Sequence, residues 1–155
     1  MAVLTAEAQN PAAPKLVVNI LIDQLRSDYM QAFMPLYGEN GFKRLMGNGK
    51  IYTQGEFPIA TVDRASATAS IATGSTPFYH GIVGQKWFDL SAMRGVNCVD
   101  DRSCKGIGTD TSASPQHLAV STVSDELKVA TDGKALVYSI APFCDAAVLA
   151  AGHAA

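Results

Sequence analysis

The side chains best placed to do chemistry fall in one run, Asp63-Arg64-Ala65-Ser66-Ala67-Thr68-Ala69-Ser70-Ile71-Ala72-Thr73-Gly74. Asp63 is a residue type that caps a helix by accepting hydrogen bonds from its first free N–H groups, and Gly74 suits the left-handed position after its last turn. The start of such a helix presents unpaired N–H groups and the positive end of the dipole, so an oxyanion is the ligand it would hold. Arg64 stands in that first turn, where the dipole opposes a cation by roughly 0.3–1 kcal/mol. Three readings of Arg64 stay open: an exposed or carboxylate-paired side chain, a clamp whose planar fork grips phosphate or sulfate, or a bystander to a nucleophile moved to Ser66 or Thr68. Ser66 lies two residues on, about 3 Å further along the axis and well round it, so it faces elsewhere unless the turn is rebuilt.

Other candidates are spread along the chain. Asp23 ends the apolar run Leu16-Val17-Val18-Asn19-Ile20-Leu21-Ile22, the place where open α/β sheets present ligands, and its carboxylate could hold a divalent cation, cap the next helix or pair with Arg26. Gln85 follows His80-Gly81-Ile82-Val83-Gly84 and offers an amide to a substrate oxygen or to solvent. His80, beside a glycine, reads as hydrogen-bonded scaffold. Cys98 and Cys104 flank a polar loop and either form a disulfide or remain two thiols, with Cys144 left over; no spacing typical of a zinc site joins them.

Taken with Thr73-Gly74-Ser75-Thr76-Pro77-Phe78-Tyr79-His80-Gly81-Ile82, the runs ending in Asp23 and Gly74 resemble the alkaline phosphatase superfamily, in its type I phosphodiesterase and nucleotide pyrophosphatase branch. That resemblance implies an alkaline-phosphatase-like α/β fold, a layered and mostly parallel sheet with helices on both faces, incomplete here because it covers only the amino-terminal part of the family's domain. It implies a metal-dependent phosphoric-ester hydrolase in which Asp23 ligates a divalent metal, zinc first among the candidates, with a two-metal site only if further ligands follow downstream. The same resemblance puts the nucleophile position at Arg64, with Ser66 as fallback, and a phosphate-contacting amide at Gln85. It looks for a basic pair where Phe143-Cys144-Asp145 stand. A guanidinium has no nucleophilic oxygen and stays protonated, so the phospho-enzyme route is in question. The alternatives are the front portion of a hydrolase for monoesters, diesters, nucleotides or sulfate esters; a non-catalytic homologue that binds an oxyanion or a partner through Arg64; and an α/β scaffold without a ligand.

Several elements must position these residues. The apolar runs at 16–22, 51–59 and 135–140 predict strands, the first and last buried in a parallel sheet. Helices are predicted at 27–37, 41–46 and 65–73, and from Ser114-Pro115 to about Ala130, because serine at N-cap with proline at N1 is a start signal. The stretch 85–99 around Trp87 predicts irregular or hairpin structure. The sequence has 155 residues, 48% of them apolar, with net charge −2, which suits one domain and offers no basic patch for a nucleic-acid polymer. No apolar run approaches the roughly twenty residues of a membrane span. Residues 1–13 read as a signal-peptide remnant and linker, from the A-x-A pattern Ala6-Glu7-Ala8 and the prolines that follow; with the possible Cys98–Cys104 disulfide they predict a periplasmic or secreted protein. The domain proper is assigned to 14–155.

Overall fold

The computed structural model describes residues 14–155; the predicted signal remnant and linker lie outside them. The fold is organised around a helix built of small residues, α3 (Arg64–Thr73). Ala65 and Ala69, one turn apart on the same face, are fully buried, and they join Ile82, Cys98, Val99, Leu118 and Leu149 in one core cluster. Small side chains let α6 (Cys144–Ala151) pack closely along α3, with α4 (Pro77–His80) and α5 (Val123–Ala130) against the same helix. Gly74 takes the left-handed conformation, φ 67°, and its N–H bonds the Ser70 carbonyl, ending α3.

Pro77 begins α4 and Gly81 ends it at φ 81°. Gly81 is also needed for space: a Cβ there would lie 2.9 Å from the His117 carbonyl oxygen. The chain then forms an antiparallel hairpin of β1 (Lys86–Asp89) and β2 (Arg94–Asn97), with Trp87 opposite Val96. The Asp89 carboxylate accepts the Ser91 and Ala92 N–H groups and so closes the turn. Of the irregular or hairpin structure expected around Trp87, the hairpin is what forms.

Elsewhere the structure corrects the predicted elements. The helix expected over 27–37 is split into α1 (Ser27–Ala32) and a 3₁₀ turn, Met34–Leu36, since Pro35 has no N–H to continue the ladder. The next helix, α2, runs Phe42–Asn48. The helix expected from Ser114-Pro115 begins only at Val123. The Ser114 hydroxyl is directed to Asp101, and residues 115–118 close a single turn through Leu118 N–H to the Pro115 carbonyl. The true start is a capping box: Thr122 Oγ1 accepts the Asp125 N–H at 3.2 Å, and Asp125 Oδ2 accepts the Thr122 N–H at 2.8 Å. Asp125 also meets His153 Nδ1 at 3.1 Å, while His153 Nε2 reaches the Leu118 carbonyl, tying the end of α6 to α5.

The buried parallel sheet does not form among the described residues. Their only sheet is β1–β2, and 16–22, 51–59 and 135–140 carry no strand pairing. The first and last of these are apolar yet outward-facing, with Ile20 71%, Leu136 78% and Ile140 98% exposed. A strand becomes a strand by giving its N–H and C=O groups to a neighbour, and no described segment pairs with these runs.

Candidate active site

Asp63 organises the start of α3 and fastens it to the loop before β1. Its Oδ1 accepts the Ser66 N–H at 2.8 Å, its own N–H donates to Ser66 Oγ at 3.0 Å, and Oδ2 accepts the Gln85 N–H at 2.6 Å. Ser66 is fully buried, and its hydroxyl also donates to the Asp63 carbonyl. Sealed from solvent and engaged on both sides, the Ser66 hydroxyl serves the cap.

The cap orients Arg64 toward α6. Its guanidinium meets Asp145 in a fork: Nη2 donates to Oδ2 at 2.9 Å and to Oδ1 at 3.2 Å, and Nε donates to Oδ1 at 3.3 Å. Gln85 Nε2 donates to Asp145 Oδ2 at 2.8 Å, and the Ala146 N–H reaches Oδ1. The guanidinium carbon also lies 3.7 Å from the centre of the Phe143 ring, a stacking geometry that favours a cation. The Asp145 side chain is 5% exposed and that of Arg64 23%. Burial works to raise the Asp145 pKa, but hydrogen bonds from Arg64, Gln85 and the Ala146 N–H, with the Arg64 charge, outweigh it and hold the carboxyl below its usual value.

This arrangement resolves the dipole conflict at Arg64. Asp145 stands in the first turn of α6, where a negative charge is favoured, and it neutralises the cation in the first turn of α3, where a positive one is not. The three groups open onto a pocket of about 610 Å³ whose wall also includes Lys86, Asn97 and Asp100.

The structure therefore brings two of the predicted site residues together and leaves one apart. Arg64 and Gln85 converge on Asp145. Asp23 is exposed in the turn after 16–22 and does not line the pocket. Among the described residues no group of three or more His, Cys, Asp or Glu side chains is placed to hold a metal ion, so Asp23 does not by itself make a metal site. A carboxylate-paired Arg64 is one of the readings the sequence leaves open, but which carboxylate is not legible in it: Asp145 stands where the resemblance looks for a basic residue.

His80 is hydrogen-bonded scaffold, and the cysteines are free thiols. His80 is fully buried; its Nδ1 accepts the Ile82 N–H, which leaves Nε2 to donate to Ser70 Oγ at 3.0 Å, and burial lowers its pKa. Of the two states left open for Cys98 and Cys104, the structure has the free thiols, as it does for Cys144. Cys98 Sγ faces Asn97 and Cys104 Sγ faces Asp101, so each thiol has a different partner. Burial pushes the Cys98 thiol up to about 12.

Residues 17–149 match the family model described as type I phosphodiesterase / nucleotide pyrophosphatase. The chain belongs to that family. Among its relatives, alkaline phosphatase PhoV of Synechococcus elongatus is 41% identical over 150 residues, which cover 95% of this chain and 27% of the relative. Alkaline phosphatase PafA of Elizabethkingia meningoseptica is 35% identical, covering 90% of this chain and 26% of the relative. The crystal structure of wild-type PafA superimposes with a TM-score of 0.75 at 36% identity, covering 84% of this chain and 26% of that one. The described fold is therefore alkaline-phosphatase-like α/β, and the chain spans about a quarter of the length of the relatives it matches. The ion pair between Arg64 and Asp145 lies within the matched residues.

Proposed function

We propose that this chain is the amino-terminal portion of a phosphoester-hydrolase-type domain that is catalytically silent by the covalent route, serving instead to bind an oxyanion or a partner. The observation that carries this reading is the Arg64–Asp145–Gln85 cluster. A nucleophile at residue 64 would need an oxygen or sulfur atom facing the phosphorus; a guanidinium supplies neither, and its Nε and Nη2 are already turned to a carboxylate. Gln85 takes part as the donor that steadies Asp145 rather than as a free amide.

The finer features of the family are proposed with it. Residues 16–22 and 135–140 would be inner strands of a layered, mostly parallel sheet, completed by residues outside those described; their apolar, outward side chains support this. Asp23 would give one carboxylate to a divalent metal, zinc first, whose other ligands also lie outside the described residues. Such a metal would supply charge stabilisation for a phosphoester. Export to the periplasm or beyond is proposed from Ala6-Glu7-Ala8; no helix among the described residues is long and apolar enough to cross a membrane.

A second reading, a working metal-dependent phosphoester hydrolase, is favoured by the family match over 17–149 and the likeness to PafA. The two separate in one assay: the full-length protein with aryl phosphate monoesters and diesters, with added zinc or manganese. The silent reading predicts no product above the buffer control. Steady product release at catalytic protein concentrations establishes the second reading and overturns the first.

A further inference from the structure

Asp145 is surrounded as an anionic ligand would be. Its two oxygens receive Arg64 Nε and Nη2, Gln85 Nε2 and the Ala146 N–H at 2.8–3.3 Å. Three of these donors belong to side chains from other elements, α3 and the loop before β1, and they converge from outside α6. A guanidinium fork beside an amide N–H is a receptor for planar or tetrahedral oxyanions. Here the receptor is assembled and the anion in it is a side chain of the same chain.

The pocket's charges agree. Its charged lining residues are Arg64, Lys86, Asp100 and Asp145, two of each sign and so formally neutral. A phosphate entering beside Asp145 would face that carboxylate with Nε and Nη2 of Arg64 already committed, and like charges at such distances repel strongly in a part-buried site. The Asp145 side chain, 5% exposed, has little room to swing into solvent. Phe143 stacked on the guanidinium holds the fork toward Asp145.

We infer that Asp145 is the specificity-determining residue of this pocket: it acts as a built-in competitor that keeps phosphate and sulfate groups from Arg64, so that removing its charge turns Arg64 and Gln85 into an oxyanion site. The inference rests on the silent-homologue reading and deepens it. Of the two ligand classes left open there, it excludes the oxyanion class from the wild-type pocket and confines it to the Asp145 variant.

The test is titration calorimetry of the full-length protein with inorganic phosphate, comparing wild type, Asp145→Asn, Asp145→Ser and Arg64→Gln/Asp145→Asn, each checked by circular dichroism. Asparagine keeps the shape, and serine provides a second charge-free variant if asparagine impairs folding. Expected is no saturable phosphate binding by wild type in the millimolar range, affinity at least about tenfold higher in a folded single variant, and loss of that gain in the double variant. Wild-type binding as tight as the variant's, no gain in either folded variant, or a gain that survives loss of Arg64 would each overturn the inference. Failure of the underlying reading shows separately, as product release by the wild type from aryl phosphates.

Discussion

Replacing Arg64 and Asp145 singly and together measures whether the ion pair is the structural feature that the geometry makes it. The closest contact is 2.9 Å, with side chains 23% and 5% exposed. Two unit charges about 4 Å apart at an effective dielectric constant near 20 attract by about 4 kcal/mol. Screening on the Arg64 side and the desolvation of Asp145 reduce this, leaving an expected coupling of about 2 kcal/mol. Asp145→Asn leaves a part-buried guanidinium without its counter-charge, and Arg64→Met leaves a nearly buried carboxylate held by Gln85 and one N–H; each is expected to destabilise by about 3 kcal/mol. The double variant should then lose about 4 kcal/mol rather than the additive 6. The assay is urea denaturation of the full-length protein and the three variants, followed by a fluorescence probe. Additivity within about 0.5 kcal/mol would refute the reasoning, because it would mean that the two charges do not interact in solution.

Other perturbations test the surrounding framework. Ser66→Ala should lose about 1 kcal/mol of stability and Asp63→Ala about 2, because Asp63 both caps α3 and receives the Gln85 N–H; denaturation midpoints check this, and an unchanged Asp63→Ala would contradict it. Maleimide labelling at pH 8 should modify the exposed Cys104 and Cys144 while Cys98 reacts only after denaturation, as expected for a buried thiol pushed up to about 12. A mass spectrum showing Cys98 joined to Cys104 would count against the structure. Asp125 and Asp145 are both held below the ordinary carboxylate value, so their stabilisation is complete above about pH 4, the unfolded value, and is lost as the pH falls through the lowered folded values. Denaturation midpoints should be steady in respect of these groups from pH 7 to 5 and fall in stronger acid; a shift between pH 7 and 5 that disappears in Asp145→Asn would be the wrong sign.

What the sequence discloses about this fold depends on how local the determining contacts are. The helix α3 is legible because its cap, its small residues and its terminating glycine all lie within the helix and its two flanks. The start of α5 is misread because Ser114-Pro115 carries the same local signal as a true cap, and only the distant Asp101 shows that the Ser114 hydroxyl is engaged elsewhere. For 16–22 and 135–140 the sequence conveys extension and apolarity but not pairing, which depends on a neighbouring strand. The site divides the same way. Arg64 and Gln85 can be picked out by motif, whereas the bond from Arg64 to Asp145 spans 81 residues and follows from the packing of α6 on α3.

The central claim is that the nucleophile's place is held by a guanidinium already paired within the chain. The most direct measurement is a crystal structure of the full-length protein soaked in inorganic phosphate. The account predicts Arg64 and Gln85 both bonded to Asp145 near 3 Å, with no phosphate in the guanidinium fork. A phosphate seated on Arg64 with Asp145 displaced would contradict it.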